Sequence, residues 1–126
     1  MIAMIQSFKD LQVYEKSYKA AIAMYRTVAR FPSEELYGLT SQIKRASTSI
    51  PLNIAEGYGK RDNANEFKRF LLMAIGSCNE MLVLIDISKD LEFIDSVQHK
   101  KMCDEYNEIA KMLVVLRKRW KENSNL

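Results

Sequence analysis

Apolar residues return every three or four positions along nearly the whole chain, and no stretch alternates every second residue for any length. That period belongs to the α-helix and leaves no material for a sheet. The clearest run is Met102, Tyr106, Ile109, Leu113, Leu116 and Trp120, which alternate four and three apart as a heptad seam. Phe8, Leu11, Tyr14, Tyr18, Ala21 and Tyr25 keep the period near the start, and Phe67, Phe70, Leu71, Ala74, Cys78, Met81 and Ile85 keep it later. Four glycines and two prolines in 126 residues are too few for a chain built of many short strands and turns. The pattern predicts an all-α fold, an antiparallel up-down four-helix bundle, in a single domain over residues 1–126.

Breaks in the period set the boundaries. Ser7 followed by Asp10 resembles a capping box and opens a helix over about 7–30. Phe31-Pro32 closes it, because the residue before proline is pushed out of the α region. Ser33, with Glu34 and Glu35 as an acidic first turn, opens a second helix over about 34–57 that stops at Gly57-Tyr58-Gly59. Asn63, with Glu66 three positions on, opens a third over about 63–89, and Asp95 or Ser96 caps a fourth over about 96–121. Pro51 falls inside the second helix, where it removes an amide and crowds the carbonyl of Ser47, at a cost of about 3 kcal/mol or more. Regular apolar spacing on both sides predicts a kinked but continuous helix, with Ser47, Thr48 and Ser49 partly satisfying the freed backbone.

The second helix carries two stripes. Leu36, Leu39, Ile43, Ala46, Ile50 and Ile54 form an apolar face. Gln42, Arg45, Ser49, Asn53 and Glu56 recur at similar spacing roughly a quarter-turn away. Arg45 and Glu56 stand roughly 16 Å apart along the axis, so each needs a partner from a neighbouring helix, a subunit or a ligand. A polar network or a polar subunit interface meets that need without catalysis.

Catalytic chemistry finds little support. There is no GxxxxGK[ST] loop and no GxGxxG motif. With His99 as the single histidine, neither a His/Cys zinc set nor the paired Glu-x-x-His of di-iron bundles is expected. Beside Lys100 and Lys101, His99 reads as a solvated surface residue. No catalytic residue, metal or cofactor is expected. Cys78 and Cys103 form no CxxC pair and read as reduced thiols of a cytoplasmic protein. The start, MIAMIQSF, lacks a basic leader region, and the apolar runs at 71–75 and 81–85 are too short to span a bilayer, so no membrane partner is expected.

Nineteen basic and sixteen acidic side chains leave a formal charge of +3, which permits a nucleic-acid partner without demanding one. The basic residues fall in two groups. Lys60, Arg61, Lys68 and Arg69 surround the turn between helices two and three, and Arg117, Lys118, Arg119 and Lys121 crowd the end of helix four. A solvated face accounts for either group alone. A ring of subunits would repeat each patch, and phosphate affinity rises steeply with the number of contacts.

Particular residues carry a family resemblance. Phe8-Lys9-Asp10-Leu11, Phe31-Pro32 and Glu35-Leu36-Tyr37-Gly38-Leu39-Thr40 lead into Gln42-Ile43-Lys44-Arg45-Ala46, Ser49-Ile50-Pro51 and Asn53-Ile54-Ala55-Glu56-Gly57. Glu66-Phe67, Arg69-Phe70-Leu71, Ala74, Gly76-Ser77 and Glu80 continue the series. Together they resemble the bacterial four-helix-bundle family encoded in intervening sequences of 23S ribosomal RNA genes, from about residue 7 to residue 118. The resemblance implies an up-down bundle that assembles into a ring, with a homopentamer as the expected homo-oligomer. It also implies kinship with accessory proteins of diversity-generating retroelements, which bind a reverse transcriptase and contact nucleic acid through basic surfaces. The expected role is a non-enzymatic, ring-forming adaptor for RNA or a nucleoprotein. The alternative is a protein-interaction scaffold with no direct nucleic-acid role.

Overall fold

The computed structural model of the protein describes residues 5–121. Its four helices are α1 (Gln12–Val28), α2 (Leu39–Gly59), α3 (Ala64–Asp90) and α4 (Ser96–Arg119), and no strand occurs among the described residues. Each helix packs against its chain neighbours and α4 returns against α1, while α1 and α3 face each other diagonally across the core. The core runs through all four helices. Ile43, Ile50 and Ile54 of α2, Phe67, Leu71 and Ile85 of α3, and Ile109 and Leu113 of α4 are fully enclosed.

Where capping chemistry is local, the expected boundaries hold. Asn63 accepts a hydrogen bond from the Glu66 amide and starts α3. Asp95 and Gln98 form a reciprocal capping box at the start of α4. Three expectations need correction. The Ser7–Asp10 box is real, but it caps a short 3-10 turn, Phe8–Asp10, and α1 proper begins only after Leu11. Ser33 opens another 3-10 turn, Ser33–Glu35, and α2 begins four residues beyond it. Gly38, with ψ of −110°, interrupts the helical path, so Leu36 and Tyr37 face solvent and Leu36 drops out of the apolar stripe. Glu35 still serves the helix, since its carboxylate accepts from the Leu39 amide at 3.4 Å.

Pro51 is buried inside an unbroken α2. The neighbouring hydroxyls do not turn to the carbonyl of Ser47 as expected. Ser47 and Thr48 both donate to the Lys44 carbonyl, at 3.2 and 2.7 Å. α3 ends in a left-handed cap formed without glycine. Glu92 takes φ of 64°, and the Phe93 amide returns to the Ser88 carbonyl at 2.9 Å. Phe93 then stacks on Phe31, ring centroids 5.2 Å apart, and joins the α1–α2 connection to the α3–α4 turn.

By length and composition α3 is sufficient to cross a membrane, which corrects the count made from short apolar runs. In the bundle, Phe67, Leu71, Ala74, Cys78, Met81 and Ile85 face the core. The excess apolarity lies on the opposite side, where Leu72, Met73, Val83 and Ile87 are exposed.

Gly57 is not the helix stop that its sequence position suggests, because α2 continues to Gly59. Its role is close approach. A Cβ at Gly57 would lie 2.6 Å from Phe70 Cβ and 3.0 Å from Phe67 Cδ1, whereas one at Gly59 would meet nothing within 4 Å. Gly57→Ala is therefore expected to cost about 1–3 kcal/mol of stability, since Phe70 Cβ moves only with its backbone. Gly59→Ala should fall within about 0.5 kcal/mol of the parent. Urea unfolding of the two variants side by side checks both values.

Candidate nucleic-acid interface

The end of α2, the start of α3 and the end of α4 meet at one pole of the bundle. An aromatic cluster pins them. The Phe67 and Trp120 rings meet edge-to-face at 4.7 Å between centroids, and Tyr58 lies 6.1 and 6.5 Å from them. Trp120 is 1% exposed although it lies just beyond the helical residues of α4, so the heptad seam continues in packing past the helix itself. With Trp120 seated, Arg117 turns toward α3 and its Nε–H donates to the Lys68 carbonyl at 3.2 Å.

That contact unites the two basic groups. Lys60, Arg61, Lys68, Arg69 and Arg117 share one rim, and Lys118 and Lys121 stand exposed at the same pole. Aromatic faces order several of these cations. Arg61 lies 4.1 Å from the Tyr58 ring centroid, and Lys60 and Arg69 lie 4.9 and 4.6 Å from that of Phe70. Two rim cations have carboxylate partners. Arg69 makes a bidentate pair with Glu66, which holds that carboxyl below and the guanidinium above their ordinary ranges. Lys60 lies 3.8 Å from Glu56. Arg61 and Arg117 instead donate to the carbonyls of Tyr58 and Lys68, which orient the guanidinium without neutralising it. Lys68, Lys118 and Lys121 make no ion pair among the described residues. Arg119 is set apart, lining the groove between α1 and α4 beside Asp10 and Lys111.

The polar stripe of α2 faces α3. Arg45 pairs with Glu80, and the Ser49 hydroxyl meets that of Ser77 one turn further along the antiparallel seam. Asn53 Nδ2 donates to the Ser49 carbonyl at 2.8 Å. Glu56 points to Lys60 rather than across the seam, and the exposed Gln42 side chain makes no hydrogen bond among the described residues. Two of the five stripe residues, Arg45 and Ser49, thus meet α3, whereas Asn53 bonds within α2.

A family model of the 23S rRNA-intervening sequence proteins matches residues 9–115. The chain belongs to that family. A crystal structure of a protein of unknown function from the S23 ribosomal protein family of Bacteroides thetaiotaomicron VPI-5482 is similar to it, with 26% identity and a TM-score of 0.73. The likeness covers 84% of this chain and 95% of that one. No curated protein matches.

One cluster in this 23S rRNA-intervening sequence family member escaped the sequence reading. His99 is not a free surface imidazole. Its Nε2 lies 2.7 Å from Asp86 Oδ1 and 3.5 Å from Cys103 Sγ, which corrects the expectation of a simply solvated residue. The His99–Cys103 spacing of one helical turn was legible. Asp86 was not, because the α3–α4 turn brings it back from thirteen positions upstream. Both thiols are free, Cys78 buried and Cys103 half-buried, and burial pushes Cys78 up to about 12.

The Arg45–Glu80 pair is partly solvated, its side chains 60% and 36% exposed, so its worth is bounded by surface values. A double-mutant cycle with Arg45→Ala and Glu80→Ala is expected to give a coupling of about 0.2–1 kcal/mol. Thermal or urea unfolding of the four proteins measures it.

Proposed function

We propose that this protein is a non-enzymatic, ring-forming adaptor of the cytoplasm that binds structured RNA, alone or within a nucleoprotein, through its basic pole. The observation that carries the reading is the union of two sequence-distant basic groups at one end of the bundle, tied by Arg117 and the Lys68 carbonyl. Arg61, Arg117, Lys68, Lys118 and Lys121 have no carboxylate partner there among the described residues. Phosphate oxygens spaced along an RNA backbone suit such a rim, and the guanidinium groups also offer planar faces for unpaired bases.

Assembly multiplies that surface. α3 is apolar on both sides, and a helix of that kind is ordinarily covered on both. Its outer stripe of Leu72, Met73, Val83 and Ile87 differs from another exposed apolar region, an open groove of about 390 Å³ between α1 and α2 edged by Tyr18, Ile22, Tyr25 and Leu52. Two unlike patches on one chain favour head-to-tail contacts, which close into a ring when the rotation between subunits divides a full turn. Five subunits is the closure that the family resemblance implies. Each added rim then binds as a tethered site, which raises avidity without any new contact.

Binding of a structured RNA should weaken with salt, the slope of log affinity against log salt growing by about 0.7–0.9 per phosphate neutralised. Lys68→Glu combined with Lys118→Glu is expected to lower affinity at least tenfold and flatten that slope. Unchanged RNA affinity in this variant, with its fold intact by circular dichroism, would leave the protein-scaffold role in its place. For assembly, Val83→Glu should reduce the mass in solution from the ring to the single chain. A parent protein that sediments as a monomer at micromolar concentration removes the ring.

A further inference from the structure

We propose that Asp86, His99 and Cys103 form a binding site for a divalent transition-metal ion, zinc by donor chemistry, which clips the end of α3 to the start of α4. The site lies at the pole opposite the basic rim and stands apart from the RNA reading. His99 and Cys103 are four residues apart on α4 and so share one face, while Asp86 reaches them from the adjoining α3. Their three ligand atoms all lie within 4.8 Å of one another.

The separations suit a small tetrahedral ion. With metal–ligand bonds of about 2.0–2.3 Å, ligand atoms around zinc stand roughly 3.3–3.8 Å apart. The 3.5 Å between His99 Nε2 and Cys103 Sγ already meets that range. Asp86 Oδ1, at 2.7 Å from the same nitrogen, has to withdraw by under about 1 Å, and its side chain is 65% exposed and free to do so. A hydrogen bond explains the Asp86–His99 contact. The helical spacing brings the Cys103 sulfur to the same ring nitrogen, and a shared ion would use the convergence of all three donor atoms at one point.

The donor set chooses the metal. Imidazole nitrogen, thiolate and one carboxylate are borderline-soft as a group, which suits zinc and disfavours magnesium or calcium, whose sites are built from oxygen. Burial, and after it the charges of Asp86 and Asp104, hold the Cys103 thiol in its protonated form. A bound cation reverses that balance, because the same carboxylates then lie beside positive charge. On binding, the ion replaces the Cys103 thiol proton and any proton on His99 Nε2, both of which pass to solvent. No electron is transferred. Three protein ligands leave the fourth tetrahedral position to water.

Cobalt(II) titration of the full chain tests the site, since cobalt occupies zinc positions and reports its ligands by absorption. One cobalt per chain is expected, with a thiolate-to-metal charge-transfer band in the near ultraviolet, tetrahedral ligand-field bands in the visible, and loss of both on adding zinc. Cys103→Ser should abolish the charge-transfer band and Cys78→Ser should leave it, while Asp86→Asn and His99→Gln should each weaken binding at least tenfold. Zinc should also raise the melting temperature of the parent but not of Cys103→Ser. Absence of the charge-transfer band with the parent protein in excess cobalt overturns the site, whatever the variants do, and so does a band that survives Cys103→Ser.

Discussion

The close approach of α2 to α3 at Gly57 is the constraint on which the rest of the bundle depends. With no side chain at that point, Phe67 and Phe70 pack directly on the α2 backbone. The next residue, Tyr58, is then placed to meet Phe67 and Trp120, and Trp120 in turn holds the end of α4. Edge-to-face aromatic pairs contribute about 0.5–1.5 kcal/mol each beyond their buried area, whereas a half-exposed ion pair such as Arg45–Glu80 contributes about 0–1 kcal/mol. Apolar packing therefore supplies the stability of the α2–α3 seam. The polar stripe contributes register, since Arg45 with Glu80 and Ser49 with Ser77 match at one antiparallel offset.

That same packing gives the protein its electrical shape. A formal charge of +3 describes the chain poorly, because cations cluster at one pole of the bundle while both signs mix at the other. Lys60, Arg61, Lys68, Arg69, Arg117 and Lys118 gather at the pole built on the aromatic cluster, while at the other Asp86, Asp90, Glu92 and Asp95 around the α3–α4 turn are mixed with Lys89, Lys100, Lys101, Arg26 and Arg30. At the basic pole the carboxylates of Glu56 and Glu66 are each matched to one cation, Asp62 in the α2–α3 turn makes no ion pair among the described residues, and Lys68, Lys118 and Lys121 make none either. This member of the 23S rRNA-intervening sequence family thus presents a cluster of cations at one pole and a flank of exposed apolar residues along α3.

How much of this was legible in the chain depended on the reach of each signal. Asn63 and Asp95 were identified as caps because a cap bonds to an amide three positions away, within the same few residues. Ser33 misled because its acidic first turn is also compatible with a 3-10 turn, and Gly38 then breaks the path before α2 begins. Leu36 fitted the apolar stripe by spacing, yet the stripe holds only while the backbone stays helical, and Gly38 breaks the path between Leu36 and α2. Gly57 looked like a stop because glycine commonly ends helices, whereas here the packed neighbour requires the missing side chain.

The sequence by itself determined the four helices, their antiparallel order and the faces that form the core, since periodicity and capping are properties of neighbours along the chain. It also placed both basic groups and the polar stripe. Only the tertiary structure decided what those groups meet: Arg117 against the Lys68 carbonyl, Arg45 against Glu80, and Asp86 against His99 and Cys103. Each of these pairings depends on the rotation and offset of one helix against the next. Those two quantities are set by how Gly57, Phe67, Tyr58 and Trp120 pack, and no spacing within a single helix encodes them.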